Sequence, residues 1–177
     1  MANEKHAVVR LDLMSGTTDG SLLKSVKVYK NDNPIAIDNA QLVVLGEREG
    51  REVYKATAPT AESKLKDLVL IASEELFYDE TRTHYLTEWV NEAGKPCRGY
   101  VLHNGDDFSA TAEAFDKAPE KGKFVGFAAD STKIAVQEAA DDKTFGKIES
   151  VEKTGWGNGA YEYFEIRVSL GLLVRNN

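Results

Sequence analysis

Turn-forming clusters recur along this sequence, and the apolar runs beside them are too short for ordinary helices. The clusters include Ser15-Gly16-Thr17-Thr18-Asp19-Gly20, Asn31-Asp32-Asn33-Pro34, Gly46-Glu47-Arg48-Glu49-Gly50, Asn91 to Pro96, His103 to Asp107 and Gly155 to Gly159. Asn and Asp bond to their own backbone, Gly admits positive φ and Pro presets φ, so each cluster favours a reversal of the chain. The intervening runs read as strands: Ala7–Met14, Leu22–Tyr29, Gln41–Leu45, Glu52–Thr57, Asp67–Ala72, Thr83–Val90, Arg98–Leu102, Lys123–Ala128, Lys133–Gln137, Thr144–Val151 and Ala160–Val168. The last alternates well, with Phe164, Ile166 and Val168 on one side and Glu165 and Arg167 on the other. Gly46–Gly50 reads as the charged connection of a hairpin. Thr83–Val90 reads as a strand with Tyr85, Thr87 and Trp89 on one side. Ala110–Ala118 has the composition of a brief helix, cut short by Pro119.

The predicted class is therefore mostly β with little helix. The architecture is two small β-rich subdomains or a β-barrel or β-sandwich-like arrangement. The cluster at Asn91–Pro96 suggests a division into residues 1–95 and 96–177, and the two parts are free to share one core.

Composition narrows the function. Lys and Arg total 22 against 29 Asp and Glu, a formal charge of −7. A net negative field disfavours non-specific association with nucleic acid or anionic membranes. No apolar run approaches the roughly 20 residues of a membrane-spanning helix, and the first residues lack the apolar region of a signal peptide. Cys97 is the single cysteine, so an intrachain disulfide and a multi-cysteine zinc site are both excluded. The composition suits a reducing cytoplasm.

Motifs of enzyme chemistry are not evident. His6, His84 and His103 lack metalloprotease spacing. Asp106-Asp107 and Asp141-Asp142 do not follow a calcium-loop pattern and read as turn caps. Arg98 would favour a thiolate at Cys97, but no histidine stands nearby in sequence as a base. Gly155-Trp156-Gly157-Asn158-Gly159 lacks the lysine and hydroxyl of a phosphate loop and precedes a strand. The expectation is a non-enzymatic protein with no catalytic residue, cofactor or metal. Trp156 at this polar tip, with Asn158 beside it, either anchors a partner or folds back on the apolar face.

The stretches Arg98-Gly99-Tyr100-Val101-Leu102, Gly105-Asp106-Asp107-Phe108-Ser109, Lys121 to Gly126, Phe145-Gly146-Lys147-Ile148 and Tyr163 to Val168 resemble, in order and texture, decoration or cement proteins of tailed-phage heads. Asp38 to Val43 resembles structural domains of such proteins. The resemblance covers the final 80 residues or so best. It implies a virion protein on the outer surface of the capsid, assembled in the host cytoplasm. Its partner would be the major capsid protein, with no direct contact with DNA. It also implies a homo-oligomer, a trimer among the arrangements. In that setting Ala2–Met14, through Val8, Val9 and Leu11, is either an arm for a neighbouring sheet edge or an internal strand. Arg48 in the Gly46–Gly50 connection is a further candidate contact. The alternative is a β-rich carbohydrate-binding or adhesion module using Trp89, Trp156 and the tyrosines.

Overall fold

In the computed structural model, residues 5–15, 22–77, 84–155 and 160–170 are described. The chain is mostly β. Its strands are β1 (Leu23–Lys30), β2 (Asn33–Pro34), β3 (Leu42–Gly50), β4 (Val53–Thr57), β5 (Leu68–Ile71), β6 (Cys97–Val101), β7 (Asp107–Thr111), β8 (Phe124–Phe127), β9 (Ile134–Gln137), β10 (Thr144–Thr154) and β11 (Tyr161–Val168).

The first six strands build a closed ring with one appendage. Hydrogen bonding runs β1–β4–β3–β5–β6 and returns to β1, while β2 pairs only with the end of β1. Within the ring β1 and β4 are parallel, with Val26 opposite Tyr54 and Val28 opposite Ala56; the other pairs are antiparallel. Alternation sends Val26 and Val28 inward to meet Val43, Ala56, Val69, Ile71 and Cys97. Each buried Val or Ile contributes roughly 1.5–3 kcal/mol. The small circumference limits what fits. A Cβ on Gly99 would lie 2.5 Å from Val69 Cγ1, so this strand position needs a residue without one.

Strands β7–β11 form a second, curled antiparallel sheet in the order β7–β11–β10–β8–β9. Two irregularities in β10, between Thr144 and Gly146 and between Ile148 and Ser150, mark where it bends. The apolar face carries Phe108, Phe127, Phe145, Phe164, Ile148 and Ile166, and it packs on Leu42, Leu68, Leu70 and Leu102. Phe115 meets Phe164 edge-on at 5.8 Å. Strand β5 is thus buried on both faces: Val69 and Ile71 fill the barrel, while Leu68 and Leu70 enter the shared core.

The structure revises four expectations about local structure. The change of sheet falls at residues 102–106, because β6, beyond the expected division at 95/96, pairs with β1 and β5. Gly46–Gly50 is not a loop. β3 continues through it to Gly50, register shifts absorb the extra residues, and the turn lies at Arg51-Glu52, with Arg51 at φ 44°. Residues 84–90 form no strand. Backbone bonds from Glu88 to Tyr85 and from Trp89 to Leu86 close a 3₁₀ turn there, and Thr83 lies outside the described residues. Residues 7–14 make one bridge, Val9 with Ala110, before a 3₁₀ turn at Leu11–Leu13. Val8 and Val9 are both buried, which strict alternation on a one-sided strand forbids.

Candidate functional site

A cleft of about 720 Å³ opens on the barrel beside the start of β1. Strand pairing assembles it from distant sequence: Ser25 lies opposite Arg98 on one side and Val53 on the other, and Arg48 lies opposite Tyr54. Its walls carry Lys24, Arg48 and Arg98 together with Glu52 and Glu74, and Leu76 stands at the lip. The Arg48 guanidinium sits over the Tyr54 ring, 5.8 Å from its centre. The Arg98 backbone N–H donates to Ser73 Oγ at 2.9 Å, tying β6 to the segment after β5. Cys97 lines the same cleft but points its thiol at the Val26 carbonyl, 3.3 Å away. Burial pushes its pKa up to about 12, so the neighbouring Arg98 does not produce a thiolate.

Beside the barrel, the 5–15 segment fastens the two sheets together. His6 Nδ1 lies 2.7 Å from Asp38 Oδ1, and the Ala7 N–H donates to the other oxygen of the same carboxylate at 3.2 Å. Further on, the Val8 N–H donates to Thr111 Oγ1 and the Arg10 N–H to the Ser109 carbonyl; Ser15 and Asp107 exchange two backbone bonds. Arg10 pairs with Asp12 at 2.6 Å and Glu152 at 3.2 Å, and covers the Tyr163 ring. Burial holds the Tyr163 hydroxyl up at about 12.

The candidate contact residues are therefore not gathered in one place. Val8 and Val9 are buried by their own chain, Leu11 packs against the shared core, and Arg48 is exposed on the β3–β4 hairpin. Trp156 and Asn158 lie outside the described residues. The partners of Arg48 in the cleft, Arg98, Lys24 and Tyr54, escape a linear reading because only the closing pair β1–β6 and the β3–β4 register bring them together.

One aspartate of each pair caps its turn. Asp106 accepts the His103 N–H at 2.7 Å, and Asp107 pairs with Arg167 at 3.0 Å. Asp141 accepts from the Lys143 N–H at 2.9 Å. His84 stacks on Phe77 at 4.4 Å and lies 3.4 Å from Glu88. Among the described residues, no group of three His, Cys, Asp or Glu side chains is placed to hold a metal ion. No family model matches the sequence, and neither a curated protein nor a solved structure matches it.

Proposed function

We propose that this chain is a non-enzymatic virion protein that decorates the outside of an icosahedral phage capsid and stabilises it by bridging major capsid protein subunits. The observation that carries the reading is the disposition of two long hairpins. β3–β4 and β10–β11 are each buried at one end and exposed at the other: Leu42 and Val43 are buried while residues 46–50 are exposed, and Phe145 and Ile148 are buried while residues 151–154 are exposed. Both are rooted in one continuous body, so two arms are held at a set separation.

That arrangement suits bridging. An assembled shell presents neighbouring subunits at fixed spacing, so engagement by one arm raises the effective concentration of the other. Binding that requires the assembled lattice stabilises the lattice by linkage. The formal charge of −7 favours a position away from packaged DNA. The resemblance of residues 98–168 to phage cement proteins supplies the partner and a homo-oligomeric form, with a trimer among the arrangements. A second reading, a carbohydrate-binding or adhesion module, draws on Tyr54 beside the polar cleft.

Co-sedimentation with matured empty shells and with unassembled major capsid protein tests the proposal. Saturable binding to shells, with little to free subunits, is the expected result. Absence of shell binding by the folded protein overturns it, and glycan binding in its place establishes the second reading.

A further inference from the structure

We propose that Asn104 is a site of self-modification by deamidation, in which the Gly105 nitrogen attacks the Asn104 side chain and the hydrogen bonds at the end of β11 hold the reaction back. The chemistry needs only these two neighbours and water. The Gly105 nitrogen gives up its proton and bonds to Asn104 Cγ. The side-chain nitrogen takes up one proton and leaves as ammonia. The five-membered imide then adds one water, and opening at either carbonyl gives aspartate or isoaspartate. Glycine in second place leaves no side chain to obstruct the ring closure. The sequence holds such a pair at Asn104-Gly105 and at Asn158-Gly159, and the second lies outside the described residues.

Asn104 and Gly105 are both exposed, yet both reacting groups are engaged. The Gly105 N–H donates to the Val168 carbonyl at 3.0 Å, and the Leu170 N–H donates to Asn104 Oδ1. Two more bonds fix the same strand end: the Val168 N–H donates to the Asp106 carbonyl at 2.8 Å, and the Ser169 N–H to the Phe145 carbonyl at 2.7 Å. A nitrogen that is donating to a carbonyl does not readily surrender its proton to solvent. An amide fastened through its oxygen is not free to turn toward residue 105. The reaction therefore waits for a local opening, in which the end of β11 parts from residues 104–106. The site lies where the chain passes from the barrel to the curled sheet, so its products reach both. Isoaspartate adds a methylene to the main chain between positions 104 and 105, which shifts the Gly105 N–H out of register with the Val168 carbonyl. Either product adds a carboxylate beside Asp106 and Asp107. Conversion thus makes the next opening easier, and an intact amide marks a chain whose strand end has stayed shut.

The test uses folded full-length protein and no capsid, so it stands apart from the decoration proposal. Protein and the free hexapeptide Leu-His-Asn-Gly-Asp-Asp are incubated side by side at mildly alkaline pH and body temperature. Peptide mapping by mass spectrometry counts aspartate and isoaspartate at position 104. Conversion in the folded protein is expected to be measurable but at least tenfold slower than in the peptide, and to reach the peptide's rate in urea above the unfolding midpoint. Leu170→Pro removes the donor to Asn104, whereas Leu170→Ala keeps it and trims the same side chain from the shared core. Leu170→Pro is expected to convert at least threefold faster than Leu170→Ala. Urea below the unfolding transition should speed hydrogen exchange at the Gly105 N–H and conversion at Asn104 in the same proportion, and this decides alone if Leu170→Pro fails to fold. Conversion of the folded protein at the peptide's rate, no conversion at all, equal rates in the two Leu170 variants, or exchange and conversion that respond differently to urea would each overturn the assignment.

Discussion

The barrel and the curled sheet fill their interiors with different side chains. The barrel holds Val26, Val28, Val43, Ala56, Val69, Ile71 and Cys97 and no phenylalanine, whereas Phe108, Phe115, Phe127, Phe145 and Phe164 all lie in the core the sheet builds. A ring of five strands has a set radius, and its buried interior is filled by small or β-branched residues, with the larger Leu45 and Tyr54 only partly buried against it. An open sheet adjusts its curl to the side chains it covers. Its glycines answer a different need. A Cβ on Gly146 would meet the Arg167 carbonyl at 2.6 Å, where a neighbouring backbone closes in beside a bulge. Gly99 in the barrel is crowded by a side chain. One region is limited by interior volume and the other by backbone curvature.

Three experiments press on that contrast. The largest effect is expected from Phe108→Ala in the shared core, at about 3–5 kcal/mol. Because Leu68 and Leu70 of the barrel wall pack into the same core, tryptophan fluorescence and far-ultraviolet circular dichroism should report one urea midpoint, displaced together. Two separated midpoints would break the picture of a shared core. Next come the glycines: Gly99→Ala and Gly146→Ala should each cost about 1–3 kcal/mol by overpacking. Adding Val69→Ala should restore part of the loss at Gly99. Adding Ile166→Ala should restore little at Gly146, since the carbonyl stays where it was. Equal rescue, measured by denaturant melts, would erase the distinction between volume and curvature.

The smallest effect concerns Glu75, beside the strap that joins the regions. Burial raises its pKa despite the hydrogen bond from Asn39 Nδ2 at 2.7 Å. The folded state therefore favours the protonated acid, a contribution present below the unfolded value of about 4.3 and lost as pH rises through the higher folded value. Glu75→Gln keeps an acceptor for Asn39 without the charge. It should melt slightly higher than the parent at pH 7, with the difference vanishing below about pH 4. A difference independent of pH would assign the effect to packing rather than ionisation.

How much of this was legible depended on whether the cause was local. The apolar run Leu68-Val69-Leu70-Ile71 announced a buried strand, and the alternation of Phe164 to Val168 announced β11. Asn31 and Asp32, at φ 51° and 61°, make the tight turn their types suggest. What stayed hidden was decided by partners far along the chain. Residues 46–50 look like a loop until β4 supplies their hydrogen bonds, and residues 84–90 look like a strand until, among the described residues, no strand pairs with them and a 3₁₀ turn closes instead. Arg48 was visible as an exposed cation. That Arg98 lines the same cleft follows only from closing the ring.

The strap that carries Val8 and Val9 also orders events during synthesis. Its partners are Asp38, Thr87 and residues 107–111, so residues made early wait for a stretch roughly a hundred positions later, as between Val8 and Thr111. The ring closes sooner, once β6 has emerged to meet β1. Long-range closures of this kind are slow. On a ribosome, every strand of the ring has emerged before the strap's last partners, residues 107–111, arrive.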